Sequence, residues 1–372
     1  MLKNPLVRLL VVYTLWIAAA VFGTSFIYLY FKNAGVAEPD LITGFLFWYS
    51  SALLAIYILN KKKYDLRRLM LVGILTQLLS YASLIIFSPA KELLFLYSFL
   101  VGTTSFLFWV PFNIMYFELS KGREALLGTV YFSMGPFLAL ILPLTGAAVI
   151  EGIGFDGLFF ITCVTYAVLL LVTLYLVKRR EQRYDLKECL KEAKGFKTLV
   201  FIEGIYGGGT AAVVSVISLF YFKTPTQLGV FLSLTTIFSI IASIIISRIS
   251  DKTRKRQRYL NIFGVNLGVV TALAIFVGNA TGWYVITSLR NLFMNLFYPF
   301  TTAIIADNKR DMLRIMVGRE WILNAGRVVG IFITLFCTIS LSNMPLSLGV
   351  LGAIILAYPV VIELKKKHIG IE

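Results

Sequence analysis

The chain has 372 residues, 58% apolar and 15% charged, with a mean hydropathy of +0.83. Soluble domains are about 45–50% apolar and about 25% charged, so an ordinary soluble globule is excluded. The net charge of +16 admits nucleic acid or a membrane surface as partner, and the positions of the basic residues decide between them.

The chain opens on MLKNPLVRLLVVYTLWIAAAVFG, which imitates a secretory leader. The apolar run continues to Phe31, longer than the about 7–15 residues of a leader's core and long enough to span a bilayer, so it reads as a retained first helix. Windows of membrane-spanning length follow at 41–60, 69–88, 93–117, 125–149, 157–177, 198–221, 228–247, 259–278, 282–305, 317–340 and 346–363, the first being 7–31. The alternating segments of about 10 residues that build a membrane barrel are absent. The expected fold is an all-α polytopic membrane protein with twelve transmembrane helices.

Of the 35 lysines and arginines, 30 fall in alternate loops that include both ends of the chain. Lys32, Lys91 and Lys223 lie on the other side, and Arg290 and Arg327 lie within helices. That asymmetry predicts cytoplasmic N- and C-termini in a cell membrane, with the lipid bilayer and not nucleic acid as the partner of the charge. Cys163, Cys189 and Cys337 show neither paired nor metal-ligand spacing, which implies no disulfide framework and no zinc site.

The segment 178–197, KRREQRYDLKECLKEAKGFK, separates six helices (1–177) from six more (198–372). Its Leu186, Cys189, Leu190, Ala193 and Phe196 recur at helical spacing among charges, predicting an amphipathic helix on the membrane surface that tethers the halves. The halves repeat at an offset near 190–196 residues: the basic loop at 61–68 recurs at 250–258, and GRE at 122–124 recurs at 318–320. A parallel six-plus-six repeat, giving two pseudo-symmetric bundles, is a layout of secondary transporters.

In the loop after the eighth window, SRISDKTRKR resembles the conserved cytoplasmic motif of the major facilitator superfamily, with Asp251 at the motif's aspartate and Arg254, Lys255 and Arg256 in its basic part. Ser247 replaces the motif's glycine, and the first-half loop LNKKKYDLRR keeps only the basic character. The resemblance implies a secondary active transporter working by alternating access as a monomer without a cofactor, with Asp251, Arg254 and Arg256 as a conformational latch. It also implies a small-molecule substrate and a proton or sodium ion as coupling partner. Gly135 and Pro136 resemble the core of an exporter motif, which favours export. The arginine that proton-coupled relatives carry in the fourth helix is missing, and the single histidine, His368, lies in the tail, so proton coupling would fall to Glu203 or Glu320.

No GxxxxGK[ST], metal cluster or serine–histidine–aspartate set is present, so the sequence does not read as an enzyme. The chemistry lies in polar groups within apolar helices, where a charge at the bilayer centre costs about 2.5–3.5 kcal/mol on insertion scales and faces a cavity or a partner. In the tenth window Asn291, Asn295, Tyr298 and Thr302 share a face, with Arg290 beside it. In the eleventh, Glu320, Asn324, Arg327 and Thr334 form a second stripe; in the fourth, Trp109 and Asn113 are binding candidates. The seventh carries Glu203 and a flexible GGG at 207–209.

Two readings of Arg290 and Arg327 stand. Either they hold an anionic substrate through forked hydrogen bonds, or each is neutralised by Glu203, Glu320 or a helix C-terminal carbonyl and ties helices together. Gly318, Arg319 and Glu320 match Gly122, Arg123 and Glu124 as a helix entrance, which places Gly128 opposite Asn324 and Tyr131 opposite Arg327. The expected solute is an organic anion, a sugar-like polar compound or an amphipathic compound. A lipid flippase or scramblase, or a non-transporting receptor of the same fold, is the alternative.

Overall fold

In the computed structural model, which describes residues 4–119, 124–250, 256–307 and 311–369, nearly all of the chain is helical. The elements are α1 (Pro5–Thr24), α2 (Ile27–Asn33), α3 (Glu38–Ile58), β1 (Tyr64–Asp65), α4 (Leu66–Ile86), α5 (Lys91–Leu107), α6 (Trp109–Leu119), α7 (Glu124–Leu176), β2 (Glu181–Gln182), α8 (Leu186–Glu192), α9 (Lys197–Tyr221), α10 (Pro225–Ser250), α11 (Arg256–Leu273), α12 (Ala280–Asp307), α13 (Met312–Leu335) and α14 (Leu346–Ile369).

Local chemistry explains where the helices start and break. The side chains of Asn4, Asp65, Asp185 and Asp311 accept hydrogen bonds from backbone N–H groups just inside α1, α4, α8 and α13, satisfying donors that the first turn leaves free. The Thr24 and Ser25 hydroxyls donate to the carbonyls of Ala20 and Val21, competing with the backbone ladder where α1 gives way to α2. Pro111 has no N–H to reach back to Leu107, and the fourth crossing is interrupted at Phe108, between α5 and α6. Inside α7, Gly154 adopts φ +78, a conformation suited to glycine, and there the chain turns from its fifth crossing to its sixth.

Ten stretches of the described residues are long and apolar enough to cross a membrane. Ser133–Leu176 is one of them and, at 44 residues, is long enough for two crossings. The remaining crossing is α12. The outer surface is apolar, with Leu54, Phe137, Phe160, Leu171, Val269, Phe332 and Val360 all exposed. A contiguous surface of that kind belongs against lipid.

The first six crossings meet the last six along two seams, α3 against α13 and α7 against α10. At the end away from the linker the seam is tight. A Cβ on Gly229 of α10 would lie 2.8 Å from the Pro143 carbonyl oxygen of α7. Thr226 donates to Glu151, and the Lys32 ammonium sits 4.1 Å from the centroid of the Phe220 ring.

The linker departs from the sequence expectation. The helix α8 has seven residues, and the apolar face formed with its neighbours is buried in protein, with Cys189 at 0% exposure and Leu186, Ala193 and Phe196 also buried. The face meets α13 instead of lipid: a Cβ on Gly318 would come within 2.5 Å of the Cys189 carbonyl oxygen, so only glycine permits this docking. Arg314 of α13 pairs with Glu188 at 3.1 Å. On the other side β2 pairs antiparallel with β1, Asn60 Oδ1 accepts from the Leu186 N–H at 2.9 Å, and Lys61 pairs with Asp185 at 3.4 Å. Burial pushes the Cys189 thiol up to about 12. The Asp185 carboxyl lies below its usual value, first because the Lys187 N–H donates to it.

A second correction concerns the GRE tripeptide. The eleventh crossing begins at Met312, capped by Asp311, so Arg319 and Glu320 sit two turns inside the helix rather than at its entrance. The expected latch residues Asp251 and Arg254 lie outside the described residues, as do Gly122 and Arg123; Arg256 opens α11.

Candidate functional site

The polar side chains of α9, α12 and α13 form two layers at different depths. In the layer nearer the linker, Arg319 lies about 10 Å along α13 and Glu203 about 9 Å along α9. Arg319 Nη2 donates to Glu203 Oε1 at 2.6 Å and Nη1 to Glu320 Oε1 at 3.2 Å. The side chains of Arg319 and Glu203 are 14% and 4% exposed. Glu203 Oε2 is buried without a hydrogen-bond partner among the described residues; nearby Thr301 directs its hydroxyl to the Tyr298 carbonyl.

One of the two readings open from sequence gave these carboxylates to Arg290 and Arg327. Glu203 and Glu320 neutralise Arg319, a residue assigned only to the helix entrance, and not Arg290 or Arg327. The signal for it was present: Arg319 and Glu320 adjoin an apolar run, and Glu203 is the only acidic residue within the seventh window.

The deeper layer contains the other two arginines. Arg327 lies about 22 Å along α13, deeper than a start at 317 implied. Its Nη1 donates to Asn324 Oδ1 at 3.0 Å, and Asn324 Nδ2 donates to the Glu320 carbonyl at 2.8 Å. Asn324 is buried, so it holds the half-buried guanidinium in place. Across the seam the guanidinium lies 5.1 Å from the centroid of the Tyr49 ring of α3, a cation–π contact between the halves. Among the described residues, Arg327 has no carboxylate within ion-pair distance.

Arg290 reaches inward from α12 to α9. Its Nη2 donates to Thr210 Oγ1 at 2.8 Å, and its guanidinium carbon lies 5.8 Å from the Tyr206 ring centroid. Tyr298 lies close enough to Arg290 and Arg327 to feel both charges. Asn295 Nδ2 donates to Ser239 of α10 and to the Asn291 carbonyl, each at 2.9 Å, so Asn295 ties two helices together. In the first half Asn113 accepts from the Tyr131 hydroxyl at 2.9 Å. The Trp109 ring makes edge contacts with Tyr13, Trp16, Phe108 and Phe112.

The glycines of α9 bring the layers together. They do not loosen the helix, which runs unbroken through GGG. A Cβ on Gly208 would lie 2.5 Å from Arg327 Cα, and one on Gly204 would lie 2.3 Å from the Leu323 carbonyl oxygen. Gly326 and Gly330 of α13 face α9 as closely, since a Cβ on each would lie 2.4 Å from the Phe201 and 2.1 Å from the Ile205 carbonyl oxygen, respectively. Small residues four apart on both helices allow backbones in a membrane to touch, and this contact places Glu203 beside Arg319.

No curated protein sequence matches the chain. Among solved structures it is similar to the E. coli fucose:proton symporter FucP, with a TM-score of 0.71 and 14% identity over 98% of this chain and 99% of that one. It is also similar to a POT family transporter in complex with a thioalcohol-conjugated peptide, with a TM-score of 0.75 and 15% identity over 98% and 96%. At such identities these likenesses show the fold. The sequence profile of the Major Facilitator Superfamily matches residues 6–308, most of the chain, and with the twelve crossings and the likeness to transporter structures it fixes the assignment: this protein belongs to the Major Facilitator Superfamily, a family of membrane transporters and not of enzymes.

Proposed function

We propose that this secondary transporter moves a small organic anion, bound at Arg327 between its halves. The observation that carries the reading is the contrast between neighbouring arginines on α13. Arg319 holds two carboxylates, while Arg327, two turns deeper and half-exposed, meets among the described residues a neutral amide and an aromatic ring from the opposite half. A guanidinium is always charged, and a mid-membrane cation with no ion-paired carboxylate among the described residues is suited to a carboxylate-bearing solute. Tyr49 and Asn324 orient it, and Asn291, Asn295 and Tyr298 supply the neighbouring polar wall.

Residues 1–177 and 198–372 are the two rocking halves, and 178–197 is the tether. The termini face the cytoplasm of the cell membrane, as the basic loops require. Glu203 is the coupling group: its Oε2 is unpartnered, so it can take a proton, and protonation loosens its hold on Arg319. The similar fucose:proton symporter carries proton coupling in its name. The Gly135-Pro136 pair supports export.

The test is a thermal-stability screen of the purified protein against small carboxylic acids, because a ligand stabilises the state it binds. A hit should raise the melting temperature of the wild type and not that of Arg327→Ala, which should still insert and fold. Transport of that hit by Arg327→Ala at the wild-type rate would remove Arg327 from the site. Glu203→Gln should bind the hit while losing the pH dependence of uptake, and an unchanged pH profile would exclude Glu203 from coupling.

A further inference from the structure

Arg290 presents a separate problem of charge. It lies about 15 Å from the start of α12 and is 8% exposed. Its one hydrogen bond among the described residues goes to Thr210. The Thr210 hydroxyl is itself spent on the Tyr206 carbonyl at 2.7 Å, so it accepts from Arg290 and neutralises nothing. The Tyr206 hydroxyl is engaged with Thr271 of α11 at 2.9 Å, leaving only the face of its ring toward the guanidinium. Arg290 Nε is buried with no hydrogen-bond partner among the described residues.

The carboxylates within the second half do not answer this charge. Glu203 and Glu320 both serve Arg319, and no described carboxylate lies within 4.0 Å of Arg290. The guanidinium cannot shed its proton, and buried charges are paired as a rule because desolvation is so unfavourable. Arg327 is different in kind: it is half-exposed at the seam and is held by a neutral amide and a ring from the other half.

We propose that Arg290 holds an anion of its own, a monovalent carboxylate or halide seated on its free Nε–H beside Thr210, at a position distinct from Arg327. The chemistry fits either an acidic group of the transported solute or an inorganic anion such as chloride. In both cases the anion completes the buried charge of α12 where it meets α9. The inference does not depend on what Arg327 binds.

The test uses the full-length purified protein, with chloride titrated against isethionate, a sulfonate outside the proposed ligand classes, at constant ionic strength while the melting temperature is read. The expected result is a saturable rise in the wild type and in Arg327→Ala, lost in Arg290→Gln and weakened about tenfold in midpoint in Arg290→Lys, which keeps the charge but not the Nε–H. If chloride has no effect, then acetate, benzoate and succinate take its place, and a saturable response lost in Arg290→Gln assigns the anion to a solute-type acid. Bromide soaked into wild-type crystals should give an anomalous peak at the Arg290 guanidinium in the chloride case, a readout that does not depend on how the variants fold. A wild type indifferent to every anion, or a rise of equal size in Arg290→Gln, overturns the proposal. Loss of the response in Arg327→Ala but not in Arg290→Gln overturns it while leaving the reading of Arg327 intact.

Discussion

Three arginines lie deep in the second half, and each solves the cost of buried charge differently. Arg319 is held between two carboxylates, Arg327 between an amide and a ring, and Arg290 by one hydroxyl and a ring. For Arg319 the consequence is energetic. Removing one partner of a buried pair leaves the other charge stranded, at a cost of about 3–5 kcal/mol, whereas replacing both with apolar groups is near neutral. Arg319→Met alone, which strands the buried Glu203, should therefore lower the melting temperature of the protein sharply, while Arg319→Met with Glu203→Leu should recover most of the loss. Equal destabilisation by the double variant would show that the pair does not act as a unit. At this scale the sequence was only half legible. It displayed every ionisable residue, but pairing depends on which side chains of different helices meet. A register shift of five residues in the start of α13 was enough to hide Arg319.

Among the elements, the contact of α9 with α13 and the docking of α8 govern the site. Both depend on missing Cβ atoms. Gly208→Val should push α13 away from α9, since even its Cβ would lie 2.5 Å from Arg327 Cα. Overpacking of this kind costs about 1–3 kcal/mol, and the variant should also lose the solute stabilisation assigned to Arg327, as read in the same thermal assay. At the linker, Gly318→Leu should lift α8 from α13. A variant whose only cysteine is Cys189 reports this directly: buried, with its thiol pushed up to about 12, Cys189 should react slowly with a maleimide near neutral pH and much faster once Gly318→Leu is added. Unchanged labelling would show that docking does not depend on the glycine. Helical spacing in 178–197 revealed an apolar face correctly, yet it could not say whether lipid or protein covers that face, because both are apolar partners.

For the whole molecule, the halves touch along the α7–α10 and α3–α13 seams, and alternating access requires those seams to open at one end at a time. The end away from the linker is held by Gly229 against Pro143 and by Thr226 on Glu151. A Cβ on Gly229 would lie 3.0 Å from Ala147 Cβ, close enough for a disulfide after a small adjustment. The double variant Ala147→Cys with Gly229→Cys should oxidise readily and stop transport, and a reductant should restore it. Transport undiminished by the closed disulfide would mean that this seam does not part during the cycle.

The sequence by itself determined the solvent, the number of crossings and the charge asymmetry. Each of these follows from length and composition over a bilayer-sized window, and the membrane enforces them on any chain. Only the tertiary structure decided which carboxylates meet which arginine, that GGG is a packing surface, and that the linker helix lies on protein. These outcomes rest on approaches of a few ångströms between residues more than a hundred positions apart, such as Glu203 with Arg319, and no local pattern in the chain encodes such distances.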